Sequence, residues 1–194
     1  MPLILPGTGI YELEEKRSRF IGLCAPVQTE AEARHVIADV RQEHKGANHN
    51  VFAYSVKCEN IIRFNDDGEP GGTAGMPVLN VFEKAGIINY VCVVTRYFGG
   101  TLLGAGGLVR AYTKAAKGAM DAAGPEELVF YKHYRVTCEY SQFDKVKYNF
   151  DKWGVEILDT QYTNICTLYV RVRDELAPPF LEGEFYVIEL LPDA

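Results

Sequence analysis

Apolar positions along the first half of the chain switch between a period of two and a period near 3.6, and the switches mark the predicted elements. From Ile10 to Val27 the alternation predicts extended chain, with Phe20, Ile21 and Leu23 leading into a core strand that Pro26 ends. Thr29 followed three residues later by Glu32 reads as a capping box. Ala33, Val36, Ile37 and Val40 then recur at helical spacing and predict a helix to about His44. Residues 49–57 alternate as a strand, and Ile61–Phe64 predicts its hairpin partner across the Cys58-Glu59-Asn60 turn. Pro77 suits the first turn of a short helix carrying Val78, Leu79, Val81 and Phe82, which Gly86 closes. The run from Ile87 to Thr95 is apolar on both faces and predicts a central strand. A second helix is expected from about Gly104 to Ala123, ended by Gly124 and Pro125.

Beyond residue 130 the order becomes strand, helix, strand, strand, a short helix broken by prolines, and strand, which is the ferredoxin-like βαββαβ arrangement. The expected fold class is therefore α+β in two domains, residues 1–130 and 131–194. Trp153 falls on the first helix of the second domain and is expected in its core.

Composition fits a globular chain. Of 194 residues 47% are hydrophobic and 24% charged, with no run of like charge, which argues against disorder. The net charge of −6 argues against a protein that coats nucleic acid by bulk charge. Its distribution changes the picture. Residues 1–132 carry 14 basic and 15 acidic side chains, whereas 133–194 carry 6 and 11. Between Glu83 and Asp121 there is no acid, while Lys84, Arg96, Arg110, Lys114 and Lys117 make that window cationic. The five cysteines are widely spaced without a CxxC pair and read as reduced core residues. With no signal peptide pattern and no long apolar run, a cytoplasmic location away from membranes is expected.

Two glycine-dense turns, each lying between a predicted strand and a predicted helix, hold the candidate chemistry. The first follows Arg63 and contains Asp66, Asp67, Glu69, Gly72 and Thr73. Adjacent carboxylates offer hard oxygen ligands or an acid/base pair, but Asp66 and Asp67 equally suit a turn that accepts backbone amides. The second follows Arg96 and Tyr97 and contains Gly99, Gly100, Gly104 and Gly106. Arg110, Lys114 and Lys117 share one face of the helix it opens. That turn lacks the Gly-Lys-Ser/Thr of a Walker loop and the last glycine of the dinucleotide fingerprint, which argues against nucleotide hydrolysis. Its glycines suit either an anion cradle or close helix-to-sheet packing. His44 and His49 have no third ligand at matching spacing and read as a helix end and a strand start. Tyr54, Tyr97, Phe98 and Tyr112 are stacking candidates if exposed and core residues if not.

The motifs Asp66–Pro77 and Thr95–Tyr112, with Ser18–Gly22 and Ala47–Tyr54, resemble the IMPACT/YigZ family over residues 15–115. The resemblance implies a ribosomal protein S5 domain 2-like fold for the first domain. It implies a ferredoxin-like second domain similar to the last domain of elongation factor G. Eukaryotic members of that family are translational regulators that bind an activator of the starvation-responsive initiation-factor kinase. The family pattern has Cys at Val51, Arg at Met76 and Lys at Leu102. A catalytic thiol at position 51 is thus excluded, and two cations beside the glycine turns are missing.

These readings converge on a non-enzymatic, translation-associated regulator that binds RNA, the ribosome or a translation-regulatory protein. It is expected to work without metal or cofactor, as a monomer or small homo-oligomer. The alternative is a metal-dependent hydrolase or phosphotransfer enzyme built on the Asp66–Glu69 turn.

Overall fold

In the computed structural model, which describes residues 2–176, 180–181 and 186–192, the stretch predicted as one extended segment is a tight hairpin. After a two-residue strand, β1 (Leu3–Ile4), strands β2 (Gly9–Glu15) and β3 (Ser18–Pro26) pair antiparallel with Glu15 opposite Ser18. Lys16 and Arg17 alone make the reversal, at φ 48° and 66°. Both central residues of such a turn need positive φ, and Asn-Gly or Asp-Gly usually supplies it. The Lys-Arg pair gave no turn signal.

Helix α1 (Glu30–Glu43) starts as the capping pattern predicts, with Thr29 Oγ1 accepting the Glu32 amide. The Glu32 carboxylate differs from the expected reciprocal bond by accepting the amide of Gln28, one residue further back. Strands β4 (His49–Val56) and β5 (Ile61–Asn65) form the predicted hairpin. Helix α2 (Gly75–Ala85) carries Pro77 in its first turn, where no intrahelical amide is needed, and ends at Gly86 with φ 72°. Strand β6 (Tyr90–Tyr97) follows, then the 19-residue α3 (Ala105–Ala123), and β7 (Glu126–Glu127) returns to pair with β1.

The main sheet of this first unit, Met1–Leu128, runs β2-β3-β6-β4-β5 with every pair antiparallel. The double-sided apolar run of β6 takes the central place its pattern predicts. Alternation divides the sheet into two faces. Phe20, Cys24, Val51, Ala53, Tyr90, Cys92 and Val94 pack with α2 and α3, whereas Leu23, Tyr54, Val56, Val91 and Val93 pack with α1.

The second unit, Val129–Ala194, holds β8 (Tyr131–Cys138), α4 (Phe143–Trp153), β9 (Glu156–Tyr162), β10 (Cys166–Arg173) and β11 (Val187–Leu190). Its antiparallel sheet is ordered β11-β8-β10-β9, the ferredoxin-like topology. Val146, Phe150, Val136, Leu168 and Val170 form its core, with Trp153 packed at the margin. The expected proline-broken helix lies largely outside the described residues. A 3-10 turn at Asp174–Leu176 precedes it. Of the five cysteines four are buried as expected, but Cys58 is exposed because it lies in the β4–β5 turn. Among the described residues no helix is long and apolar enough to cross a membrane.

Candidate functional site

The acidic turn is held together by its own carboxylates. Asp66 Oδ1 accepts the amides of Ala74 (3.1 Å) and Gly75 (2.7 Å), and Oδ2 accepts that of Gly72 (2.9 Å). Helix α2 has no side-chain cap of its own, so Asp66 serves as its cap from nine residues away. Asp67 Oδ2 accepts the Asn50 amide at 2.6 Å, Oδ1 takes Arg41 Nη2 at 2.6 Å, and its carbonyl takes His49 Nδ1 at 2.8 Å. Thr73 donates to the Pro70 carbonyl, and Gly72 turns the chain at φ 76°. Of the two readings open for Asp66 and Asp67, the structure displays the turn: they accept amides and a guanidinium that tie it to β4 and α2. No group of three metal-ligating side chains exists among the described residues.

Glu69 has a different fate. Its side chain is 3% exposed, and Oε1 accepts Arg96 Nη1 at 2.6 Å and the Tyr112 hydroxyl at 2.8 Å. His49 Nε2 lies 3.8 Å from the same oxygen. Arg96 was expected on a contact surface; it is instead buried, because even-numbered residues of β6 face α2 and α3. Its Cζ sits 5.4 Å from the Phe20 ring centroid and 5.5 Å from that of Phe98, Nη2 reaches Ser18 Oγ at 3.4 Å, and Nε has no partner. Burial, reinforced by the Glu69 charge, pushes the Tyr112 phenol far above its ordinary range, so it stays a neutral donor.

Glu69, Arg96 and His49 line a cavity of about 410 Å³ together with Asn48, Pro70, Phe98, Leu102, Leu103, Gly104, Ala105 and Leu108. The two glycine turns thus meet, Glu69 and Pro70 from one and Gly104 and Ala105 from the other. Gly104, at φ 72°, caps α3 without a side chain.

Other predicted residues lie elsewhere. Arg63 and Tyr97 belong to the α1 face of the sheet, opposite Arg96, because each stands at the other parity of its strand. Tyr97 meets His44, its hydroxyl 2.9 Å from Nδ1, and Arg63 lines a separate cleft with Arg34, Arg41, Phe52 and Tyr54. Gly99 packs on the hairpin tip, where an added Cβ would lie 1.8 Å from the Arg17 carbonyl oxygen, and its amide donates to Ser18 Oγ. Gly100 takes φ 82° in the same turn. Neither glycine lines the cavity, so the anion-cradle reading of that pair gives way to close packing and turn geometry. Gly106, Arg110 and Lys114 are exposed on α3. Lys117 is tied to Asp121 at 2.8 Å, whereas Arg110, Lys114 and Lys84 have no carboxylate partner among the described residues. Sequence reasoning underrated His49 and missed Ser18 and Asn48. The Ala47–Tyr54 motif marked the first and last, and the Ser18–Gly22 motif marked Ser18, without assigning any of them a role.

The model of the Impact N-terminal domain matches residues 16–120, more than half of the chain. The chain belongs to the IMPACT family. In this IMPACT family member residues 136–182 match a second model, described as a domain of unknown function, DUF1949. It is 39% identical over 140 residues to IMPACT family member YvyE of Bacillus subtilis (strain 168), covering 72% of this chain and 64% of that protein. It is 38% identical over 174 residues to an IMPACT family member of Haemophilus influenzae, covering 88% and 84%. A crystal structure described as a hypothetical protein superposes with a TM-score of 0.62 at 29% identity, covering 99% of this chain and 97% of that one. The match spans a little under two thirds of the Bacillus protein.

Proposed function

We propose that this IMPACT family member is a non-enzymatic, translation-associated regulator in the cytoplasm that engages the ribosome through RNA phosphates on the outer face of α3. The observation that carries the reading is the pair Arg110 and Lys114, exposed one helical turn apart, without carboxylate partners among the described residues, in a segment free of acid from Lys84 to Met120. Lys84 adds a third exposed cation on α2. Unpaired surface cations on a rigid helix favour phosphate, whereas the buried, neutralised Arg96 does not contribute to such a surface. Family membership supports the link to translation. The consumption of Asp66 and Asp67 by turn and cap bonds supports the non-enzymatic part.

Co-sedimentation with ribosomes at physiological salt tests the proposal. Arg110→Glu with Lys114→Glu should abolish retention, and the milder Arg110→Ala with Lys114→Ala should weaken it and lower the slope of log K against log salt by about 2, at roughly 0.9 per phosphate contact. Wild-type retention by the double variant would remove the proposal's basis. Retention that is lost without any salt dependence would favour a protein partner instead.

A further inference from the structure

Strand β5 is an outer strand of the first unit's sheet, and no strand pairs with its far side among the described residues. Which of its peptide groups face outward follows from β4. Asn50 donates its amide to Asp67, on the β5 side, so by alternation the peptide groups of Phe52, Tyr54 and Val56 also point toward β5. Their register partners Asn65, Arg63 and Ile61 turn back to meet them. Ile62 and Phe64 therefore direct their N–H and C=O groups away from the sheet, and the Ile62 carbonyl meets Nη1 of the neighbouring Arg63 at 3.0 Å. An outer edge with unpaired backbone groups is a template for a further strand.

The two faces of that edge differ in chemistry. Ile62 and Phe64 stand on the α2 and α3 face, 48% and 40% exposed. Arg63 and Asn65 stand on the α1 face, where they line a cleft of about 470 Å³ with Arg34, Arg41, Phe52 and Tyr54. No acid lines that cleft among the described residues. Arg34 and Arg41 each hold one carboxylate, of Glu30 and Asp67, and keep further N–H groups; Arg63 holds none among the described residues. Asn65 Oδ1 accepts the Asp67 amide, which leaves its NH₂ to donate. Donors and positive charge thus lie along one side of an open strand, and apolar side chains along the other.

We propose that β5 accepts an acidic, extended segment of a partner protein as a further strand, antiparallel like every other pair in this sheet. Residues of the added strand that stand opposite Ile62 and Phe64 share their face, so apolar side chains belong there. The residues between them point toward the cleft, where carboxylates meet Arg63 and the remaining N–H groups of Arg34 and Arg41. A second copy of β5 fits less well, because pairing the strand with itself brings two Arg63 side chains to one face. A nucleic-acid strand meets the guanidiniums but cannot continue the peptide ladder. The edge is separate from the exposed cations of α3, so ribosome binding and strand addition stand or fall independently.

Calorimetric titration of the full chain with a capped heptapeptide of alternating valine and glutamate, valine at both ends, tests the proposal. It should bind with a Kd of about 1 mM or below. The same peptide with lysine for glutamate should bind at least about ten-fold more weakly. Residues opposite Ile62 and Phe64 turn their amides toward β5, so N-methylation of the two central valines should weaken binding at least about ten-fold, whereas N-methylation of two glutamates should not. Arg63→Glu should abolish binding of the glutamate peptide and confer binding of the lysine peptide, with the far-UV circular dichroism of the protein unchanged because the Arg63 side chain is exposed. Equal binding of the two peptides, undiminished binding after valine N-methylation, or no effect of Arg63→Glu would each overturn the assignment. Absence of glutamate-peptide binding would overturn it as well, and loss of oligouridylate binding on Arg63→Glu would then give the cleft to nucleic acid.

Discussion

Replacing Asp66 by alanine removes one carboxylate and strands three backbone amides. Two of them, at Ala74 and Gly75, belong to buried residues where water cannot substitute, and the third, at Gly72, is exposed. A buried donor left unsatisfied costs about 1–3 kcal/mol, so the two together cost about 2–6 kcal/mol, with little added by Gly72. That is a large fraction of the roughly 5–15 kcal/mol by which domains are stable. Asp66→Asn separates the contributions. The amide oxygen can keep the place of Oδ1 against Ala74 and Gly75, but its NH₂ then opposes the Gly72 N–H. Its loss should be well below that of alanine. Urea unfolding followed by far-UV circular dichroism measures both, and an unchanged urea slope would show that the midpoint shift reports stability. If Asp66→Ala unfolds within about 0.5 kcal/mol of wild type, as an ordinary surface change would, the long-range cap is not what holds the turn to α2.

Glu69→Ala should cost about 3–5 kcal/mol because it leaves the Arg96 guanidinium buried and unpaired, and Arg96→Met in the same chain should restore much of the loss in a double-mutant cycle. Two glycines of the second turn should respond oppositely. Gly99→Ala drives a Cβ into the Arg17 carbonyl and should lower the thermal midpoint, whereas Gly106→Ala meets only Arg110 Nη1 at 3.6 Å and should stabilise α3 by less than the roughly 1 kcal/mol of an interior site, because it is the helix's second residue. Under native conditions a thiol reagent at neutral pH should modify Cys58 quickly and the other four only on unfolding. Burial removes access to those four, and it pushes the Cys24 thiol up to about 11. Rapid loss of a second thiol in folded protein would contradict the core assignment.

Much of this architecture is legible in local pattern. The capping pair Thr29 and Glu32, the period of Ala33 to Val40, the double-sided run of β6 and the terminal glycines Gly86 and Gly124 each report a requirement satisfied within a few residues of chain. The hairpin at Lys16 and Arg17 was not legible. Its positive φ values are imposed by the pairing of β2 with β3 rather than preferred by either residue. The pairing of β1 with β7 joins residues more than a hundred positions apart, and no local periodicity encodes such a contact.

The candidate site divides in the same way. The sequence alone determined that two glycine turns, a carboxylate cluster and a cationic helix face exist, because residue types and helical spacing suffice for that. It also determined, through long specific motifs, the family to which the chain belongs. Only the tertiary structure decided which charges are spent and which remain free. Strand parity sends Arg96 inward to Glu69 and sends Arg63 and Tyr97 to the opposite face. The folding of one turn onto another makes Asp66 a cap of α2 and Asp67 a tie to β4, and it brings Glu69 and His49 to the same cavity as the start of α3. The physical reason is that burial and hydrogen-bond satisfaction depend on which strands become neighbours, and a residue's identity does not say who its neighbour across the sheet will be.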